Sequence, residues 1–335
     1  MGVDITLIWA AIIAFGIMMY VVMDGFDLGI GLLFFTVRDH EERDVMMNTV
    51  APVWDGNETW LVLGGAGLYG AFPLAYSVVL SALYLPLIFM LIGLIFRGVA
   101  FEFRFKAHET RRHLWDLAFI GGSLVATFFQ GVVLGAFIDG LPVRDNAWVG
   151  GTLDWLRPFP LFCGVALLAA YAQLGCTWLI MKTDGRLQSH MYRLSFRLAW
   201  ALLAAIALVS VWTPLAHPAI ARRWFTLPNL VFFLPVPVLL VLGFLAKLHA
   251  LAHKATVTPF LITLMVIFLG YSGLAISLWP NIVPPSVSLW DAAAPPQSQL
   301  FMLVGALFIL PFILMYTAWS YYVFRGKVRP GEGYH

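Results

Sequence analysis

The first long apolar stretch of the chain reads "LIWAAIIAFGIMMYVVMDGFDLGIGLLFFTV", residues 7–37. It exceeds the roughly 20 residues needed to cross a bilayer as a helix. Yet it holds two carboxylates, Asp24 and Asp27, three residues apart. A charge at the centre of a spanning helix costs about 2.5–3.5 kcal/mol on insertion scales, so such groups face protein or water and have partners. The spacing of three puts both acids on nearly one helix face.

Working outward, the same character runs through all 335 residues, of which 61% are hydrophobic and 11% charged. Soluble domains are nearer a quarter charged. Apolar runs of membrane length recur, whereas a β-barrel would show alternating segments of about ten residues. The chain therefore reads as an all-α polytopic membrane protein with nine transmembrane helices, near 7–37, 54–72, 77–103, 113–139, 159–182, 190–214, 229–250, 257–278 and 299–325. The stretch 54–72 is the least apolar, with a charged opening and many glycines. Connections of at most some twenty residues leave a single integral membrane domain over 1–335. The longest, 140–158 and 279–298, carry Trp148, Trp155, Trp279 and Trp290 and suit ordered loops at the interface.

Charge asymmetry sets the orientation. Fourteen of the twenty Lys and Arg fall after spans 1, 3, 5 and 7 or in the C-terminal tail. Four fall on the other side, and Arg97 and Arg197 lie within spans. The positive-inside rule then predicts a periplasmic N-terminus and a cytoplasmic C-terminus. The opening "MGVDIT" fits a myristoylation pattern, but this orientation places it outside, and it lacks the basic start of a signal peptide.

With that orientation Asp24 and Asp27 lie about 25–30 Å from the outer end of their helix, in the cytoplasmic half. The second span opens at the same depth with "WDGNETW", residues 54–60, bringing Asp55 and Glu58. Arg97 lies about 30 Å along the third span, Glu102 follows at its mouth, and Asp116 opens the fourth. Two readings stay open for Asp24 and Asp27: a proton or ion path, or a structural pairing with Arg97. Asp55, Glu58, Glu102 and Asp116 each suit a solvated helix end or N-cap as well as function.

No haem is expected on this chain's own ligands. All eight histidines fall in loops or near helix ends, and His249 and His253 read as a snorkelling basic patch beside Lys247 and Lys254. Cys163 and Cys176 share one helix about 20 Å apart and read as buried free thiols. "GGAGLYG", 64–70, has no following Lys-Ser/Thr and reads as helix packing rather than a phosphate loop. Gly25, Gly29 and Gly31 read the same way, and nucleic acid is not an expected partner.

The motifs "MDGFDLGIG" (23–31), "APVWDGNETW" (51–60), "FRGVAFEFR" (96–104), "ETRRHLWDLAFIGGS" (109–123), "SLWDA" (288–292) and "LMYTAWSYYVF" (314–324) occur in this order. Together they resemble subunit II of cytochrome bd-type ubiquinol oxidases, over nearly the whole chain; the compact loops resemble the cyanide-insensitive branch.

The resemblance implies two four-helix bundles, about 1–140 and 159–278, with a peripheral ninth helix at 299–325. It implies a haem-bearing subunit I as partner, carrying haems b and d, with ubiquinol as the substrate of the complex. It leaves room for a small single-helix subunit, a bound quinone or lipid, and surrounding membrane lipids. It implies a place in the bacterial cytoplasmic membrane and a share in cytoplasmic proton uptake, with Asp27 and Asp55 as the acidic positions, Arg97 as the basic one, and Asp24 weighted below Asp27. This polypeptide alone is expected to have no activity. A proton-coupled secondary transporter would also bury carboxylates, but transporters place them at the midplane on paired broken helices. A purely structural subunit with ion-paired acids is the third reading.

Overall fold

The computed structural model describes residues 4–331, so Gly2 of the myristoylation pattern and His335 lie outside it. Every apolar stretch folds as helix: α1 (Ile5–Leu33), α3 (Trp54–Ala71), α4 (Pro73–Arg104), α5 (Glu109–Asp139), α6 (Pro158–Lys182), α7 (Gly185–Ala216), α10 (Pro235–Ala252), α11 (Thr258–Leu278) and α13 (Pro296–Val323). Shorter helices lie between them: α2 (His40–Asn48), α8 (Pro218–Phe225), α9 (Asn229–Phe233) and α12 (Leu289–Ala292). Among the described residues, eight helical segments are long and apolar enough to cross a membrane. The 18-residue α3 falls outside that set, since its first two turns are polar and it is glycine-rich.

Residues 23–34 are buried all round. A helix in that position must be enclosed by others, and α1 packs against α3, α5 and α6 and also touches α11 and α13. Close approach depends on glycine. A methyl added to Gly175 of α6 would lie 2.5 Å from the Gly29 carbonyl carbon, and one on Gly29 would strike the Tyr171 carbonyl. The same device joins α4 to α5, where a methyl on Gly122 would fall 2.6 Å from the Gly93 oxygen and 2.7 Å from the Arg97 nitrogen. In "GGAGLYG", Gly64 and Gly67 face Ile17 and Ile13 of α1, while Gly65 meets nothing. Pro86 inside α4 removes a hydrogen bond one turn back, and the helix kinks at Leu83 (φ −119°, ψ 17°).

One end of the bundle is closed by two hairpins. β1 (Val143–Arg144) pairs with β2 (Ala147–Trp148) across Asp145 and Asn146, both at positive φ, which suits a two-residue hairpin turn. β3 (Asn281–Val283) pairs with β4 (Val287–Ser288), and Ser288 and Asp291 form a capping box on α12. Leu141 N–H donates to the Pro284 carbonyl (2.9 Å), and Trp290 Nε1 donates to the Asp4 carboxylate (2.8 Å), the N-cap of α1. The tryptophan-bearing loops are thus ordered, and the hydrogen bonds from Trp290 and Thr6 hold the Asp4 carboxyl below its ordinary pKa. At the opposite end the chain leaving α13 docks on the α6–α7 turn. There Lys182 Nζ donates to the Phe324 carbonyl (2.7 Å), Lys327 pairs with Asp184, and Val328 N–H donates to the Lys182 carbonyl (2.9 Å).

Cys163 and Cys176 are both buried and unpaired. His249, His253 and Lys254 are exposed, as a snorkelling patch requires, but Lys247 does not belong to it: it is 2% exposed, turned inward beside Cys176 of α6. His249 and His253 do share a face, with ring centroids 4.1 Å apart.

Candidate functional site

Tyr20, Asp24, Asp27 and Gly31 follow at i, i+4, i+7 and i+11, so they form one stripe along α1. The first turn of α3 sets Trp54, Asn57 and Glu58 at i, i+3 and i+4 beside that stripe. The Gly93–Gly122 crossing holds α4 tightly on α5 and so fixes the depth of Arg97 one turn on.

Arg97 is the hub, fully buried, with its Nη1 2.7 Å from Asp24 Oδ1. Its Nη2 donates to Glu58 Oε2 at 2.7 Å, and its guanidinium lies 5.8 Å from the Trp54 ring centroid, within cation–π range. The Asp24 contact is an ion pair without hydrogen-bond alignment. Asp27 has a different partner. Asn57 Nδ2 donates to its Oδ2 at 2.8 Å, while the other carboxylate oxygen is buried with no hydrogen bond. Asn57 Oδ1 in turn accepts from the Tyr321 hydroxyl of α13, also at 2.8 Å.

On the inner side of Asp24, Gln130 Nε2 donates to the Tyr20 hydroxyl (2.5 Å), and the Tyr171 hydroxyl donates to Gln130 Oε1 (3.0 Å). On the other side the cluster opens: Glu58 keeps 29% of its side chain exposed, while Asp24 and Asp27 have none. Three carboxyl groups thus gather near one guanidinium, two of them paired with it, graded from partly solvated to fully buried. Surplus acids of this kind can hold and pass protons.

Asp55 and Glu102 stand apart. Asp55 is exposed on the outer side of α3 and makes no ion pair among the described residues. Glu102 is exposed and lies 3.7 Å from Lys106, not beside Arg97. Asp116 belongs to a second cluster that the sequence analysis does not anticipate. It accepts from Arg43 Nη1 (2.6 Å) and from Arg104 Nε (2.5 Å), and Arg104 and Arg112 both reach Asp44 (2.5 and 2.7 Å). Arg104 is fully buried, and the Phe34 ring lies 5.1 Å from it and 5.2 Å from Arg43. Arg43 and Asp44 arrive on α2, which Asp39 starts as N-cap by accepting from the Glu41 and Glu42 N–H groups. Among the described residues no group of three or more His, Cys, Asp and Glu stands close enough to hold a metal ion.

A model of the family described as cytochrome bd terminal oxidase subunit II matches residues 5–324. The chain belongs to this family. Among curated relatives of this subunit II family, it is 30% identical to the cytochrome bd-I ubiquinol oxidase subunit 2 of Escherichia coli K12, covering 96% of this chain and 94% of the relative. It is 29% identical to the cytochrome bd ubiquinol oxidase subunit 2 of Bacillus subtilis, covering 97% of each. A solved structure of the bd oxidase from Geobacillus thermodenitrificans contains a chain that superposes with a TM-score of 0.78 at 19% identity, over 96% of this chain and 99% of that one, which shows the shared fold. Family membership and long apolar helices make this subunit II chain a multi-pass inner-membrane protein, and they displace the transporter reading.

Several polar residues of this subunit II site escape sequence reading. Asn57 sits inside the quoted "WDGN" yet carries no charge to draw notice. Tyr321, Gln130, Tyr20 and Tyr171 come from four helices, and only packing brings them together. The Asp39 cap followed by Glu41 and Glu42 is the one local signal that could have exposed α2.

Proposed function

We propose that this chain is the non-haem subunit of a bd-type quinol oxidase, where it scaffolds the haem-bearing subunit and takes up protons from the cytoplasm for oxygen reduction to water. The proposal includes nine spans, with α3 as the second, a periplasmic N-terminus and a cytoplasmic C-terminus. It divides them into a first bundle of α1, α3, α4 and α5 (about 1–140), a second of α6, α7, α10 and α11 (about 159–278), and a peripheral α13. Haems b and d reside in the partner, ubiquinol is the substrate of the complex, and a small single-helix subunit or a bound quinone completes it.

The observation that carries the proton reading is the graded acid cluster around Arg97. Asp55, exposed three residues before Glu58, draws protons to the surface, while Glu102 is balanced by Lys106. Glu58 receives them at the boundary of the protein, and Asp27, held by Asn57 but not by Arg97, passes them inward. Arg97 fixes Asp24 and keeps the local potential from repelling further negative charge. The structural reading has its own support at Asp24, whose full burial against Arg97 suits a fixed ion pair. Asp24 is therefore assigned to positioning and Asp27 to transfer.

The test is purification of the tagged chain in mild detergent. Retention of a haem-bearing partner together with quinol-dependent oxygen consumption is expected. The chain separated from that partner should show neither haem absorbance nor activity; haem and quinol oxidation in the isolated chain would overturn the proposal.

A further inference from the structure

α7 is 32 residues long, about 48 Å, and longer than a bilayer core. Its uncharged part runs from Leu198 to Ala216, about 28 Å, which matches the hydrocarbon thickness. Arg193 and Arg197 stand immediately before that run, and both are exposed. At i, i+4 they share a face. They line a groove of about 380 Å³ with Tyr192, Phe196 and Leu251 of α10. The Tyr192 hydroxyl donates to the Lys254 carbonyl (2.8 Å) and ties the groove wall to the α10–α11 turn. Lys247, 2% exposed, lies one turn from Leu251 on α10.

Charge balance separates this groove from the buried and half-buried arginines on the same end of the bundle. Arg43, Arg97, Arg104 and Arg112 each have a carboxylate within 2.7 Å. Among the described residues, Arg193, Arg197 and Lys247 have none. Exposed guanidinium groups at a membrane boundary that no carboxylate occupies are free to bind an anion. The wall beyond them is apolar: Phe196 and Trp200, 44% and 51% exposed, continue the groove towards the hydrocarbon. A phosphate between two guanidinium groups with acyl chains along Phe196 and Trp200 satisfies both halves.

We propose that the α7–α10 groove binds one anionic phospholipid, its phosphodiester held by Arg193 and Arg197. The site lies on different helices from the Arg97 cluster and does not depend on the proton reading. The test uses the assembled complex, delipidated in detergent and titrated with phosphatidylglycerol or phosphatidylcholine, with bound lipid counted by native mass spectrometry. The wild type should retain one phosphatidylglycerol that R193Q/R197Q loses, with affinity about tenfold or more weaker in the variant. R193K/R197K, which keeps the charge, should retain most of it. Phosphatidylcholine should show no such difference, and excess inorganic phosphate should not displace the lipid. Equal retention in R193Q/R197Q would overturn the proposal. So would displacement by inorganic phosphate, which would assign the site to a free anion. Loss of a partner subunit in place of lipid would likewise overturn it and assign the arginines to a protein interface.

Discussion

Replacing Arg97 with Gln separates the ion-pair cluster into parts whose energies the geometry sets. Arg97 and Asp24 are both fully buried, 2.7 Å apart. Removing one member of a buried pair leaves the other charge uncompensated and costs about 3–5 kcal/mol. The Glu58 contact adds less, because 29% of that side chain is exposed and its charge is screened. R97Q should therefore destabilise by about 3 kcal/mol or more, nearly all of it through Asp24. Adding D24N removes the stranded charge, so R97Q/D24N should recover most of the loss. The assay is the half-life of the assembled complex at a fixed elevated temperature in detergent, followed by loss of partner. If the pair breaks before the unfolding barrier, 3 kcal/mol shortens that half-life on the order of a hundredfold. A half-life for R97Q within about twofold of wild type would refute the reasoning. So would a double variant as short-lived as the single one, since the harm would then not come from Asp24.

Three further predictions follow from packing and charge. Gly122→Ala should destabilise by about 1–3 kcal/mol, because its methyl meets backbone of α4 that cannot turn aside, whereas Gly121→Ala, which meets nothing within 4 Å, should be near neutral in the same half-life assay. Asp116→Asn removes the carboxylate that Arg104 and Arg43 share and leaves the buried Arg104 with Asp44 alone, so it should cost about 1–3 kcal/mol and expose α2 to limited proteolysis, leaving α7 and α10 intact. The Asp4–Trp290 contact should be pH-dependent. The folded-state pKa of Asp4 is depressed, so its stabilisation is present above the ordinary carboxylate value of about 3.9 and is lost as pH falls through the folded value. Protection against hydrogen exchange at the start of α1, taken relative to the intrinsic rate at each pH, should be flat above about pH 4 and fall below it, and D4N should abolish the step.

The helices were legible because lipid imposes a simple rule: a spanning segment must be long and apolar, and its backbone must bond internally. All nine apolar stretches became helical, most with ends within a few residues of expectation, though the stretch 229–250 divides at Leu234 into α9 and α10. The buried acids were legible for the converse reason, since Asp24, Asp27 and Arg97 violate that rule. What the sequence concealed was pairing. Arg104 and Arg112 looked like ordinary cytoplasmic cations, yet α2 folds back to bring Asp44 and Arg43 against them and Asp116. The family resemblance marks Asp55 and not Glu58, but only Glu58 reaches Arg97, because the first turn of α3 points Asp55 away. Neutral members of the cluster, Asn57 and Tyr321, leave no mark in charge or period and become visible only when α3 and α13 meet. Lys247 was misread because helix-end position suggests snorkelling, and only the packing of α10 shows it turned inward.

The central claim is that Asp27, not Asp24, passes protons through this subunit. Its measure is the rate of quinol-dependent oxygen consumption and coupled proton uptake in the assembled complex reconstituted into vesicles, with D27N and D24N compared at matched haem content. The account predicts that D27N slows both rates about tenfold or more while its heat half-life stays near wild type, since Asn57 can still pair with an amide. D24N should chiefly shorten the half-life. Full turnover and proton uptake in D27N, with assembly intact, would contradict the account and leave the acids as ion-pairing residues alone.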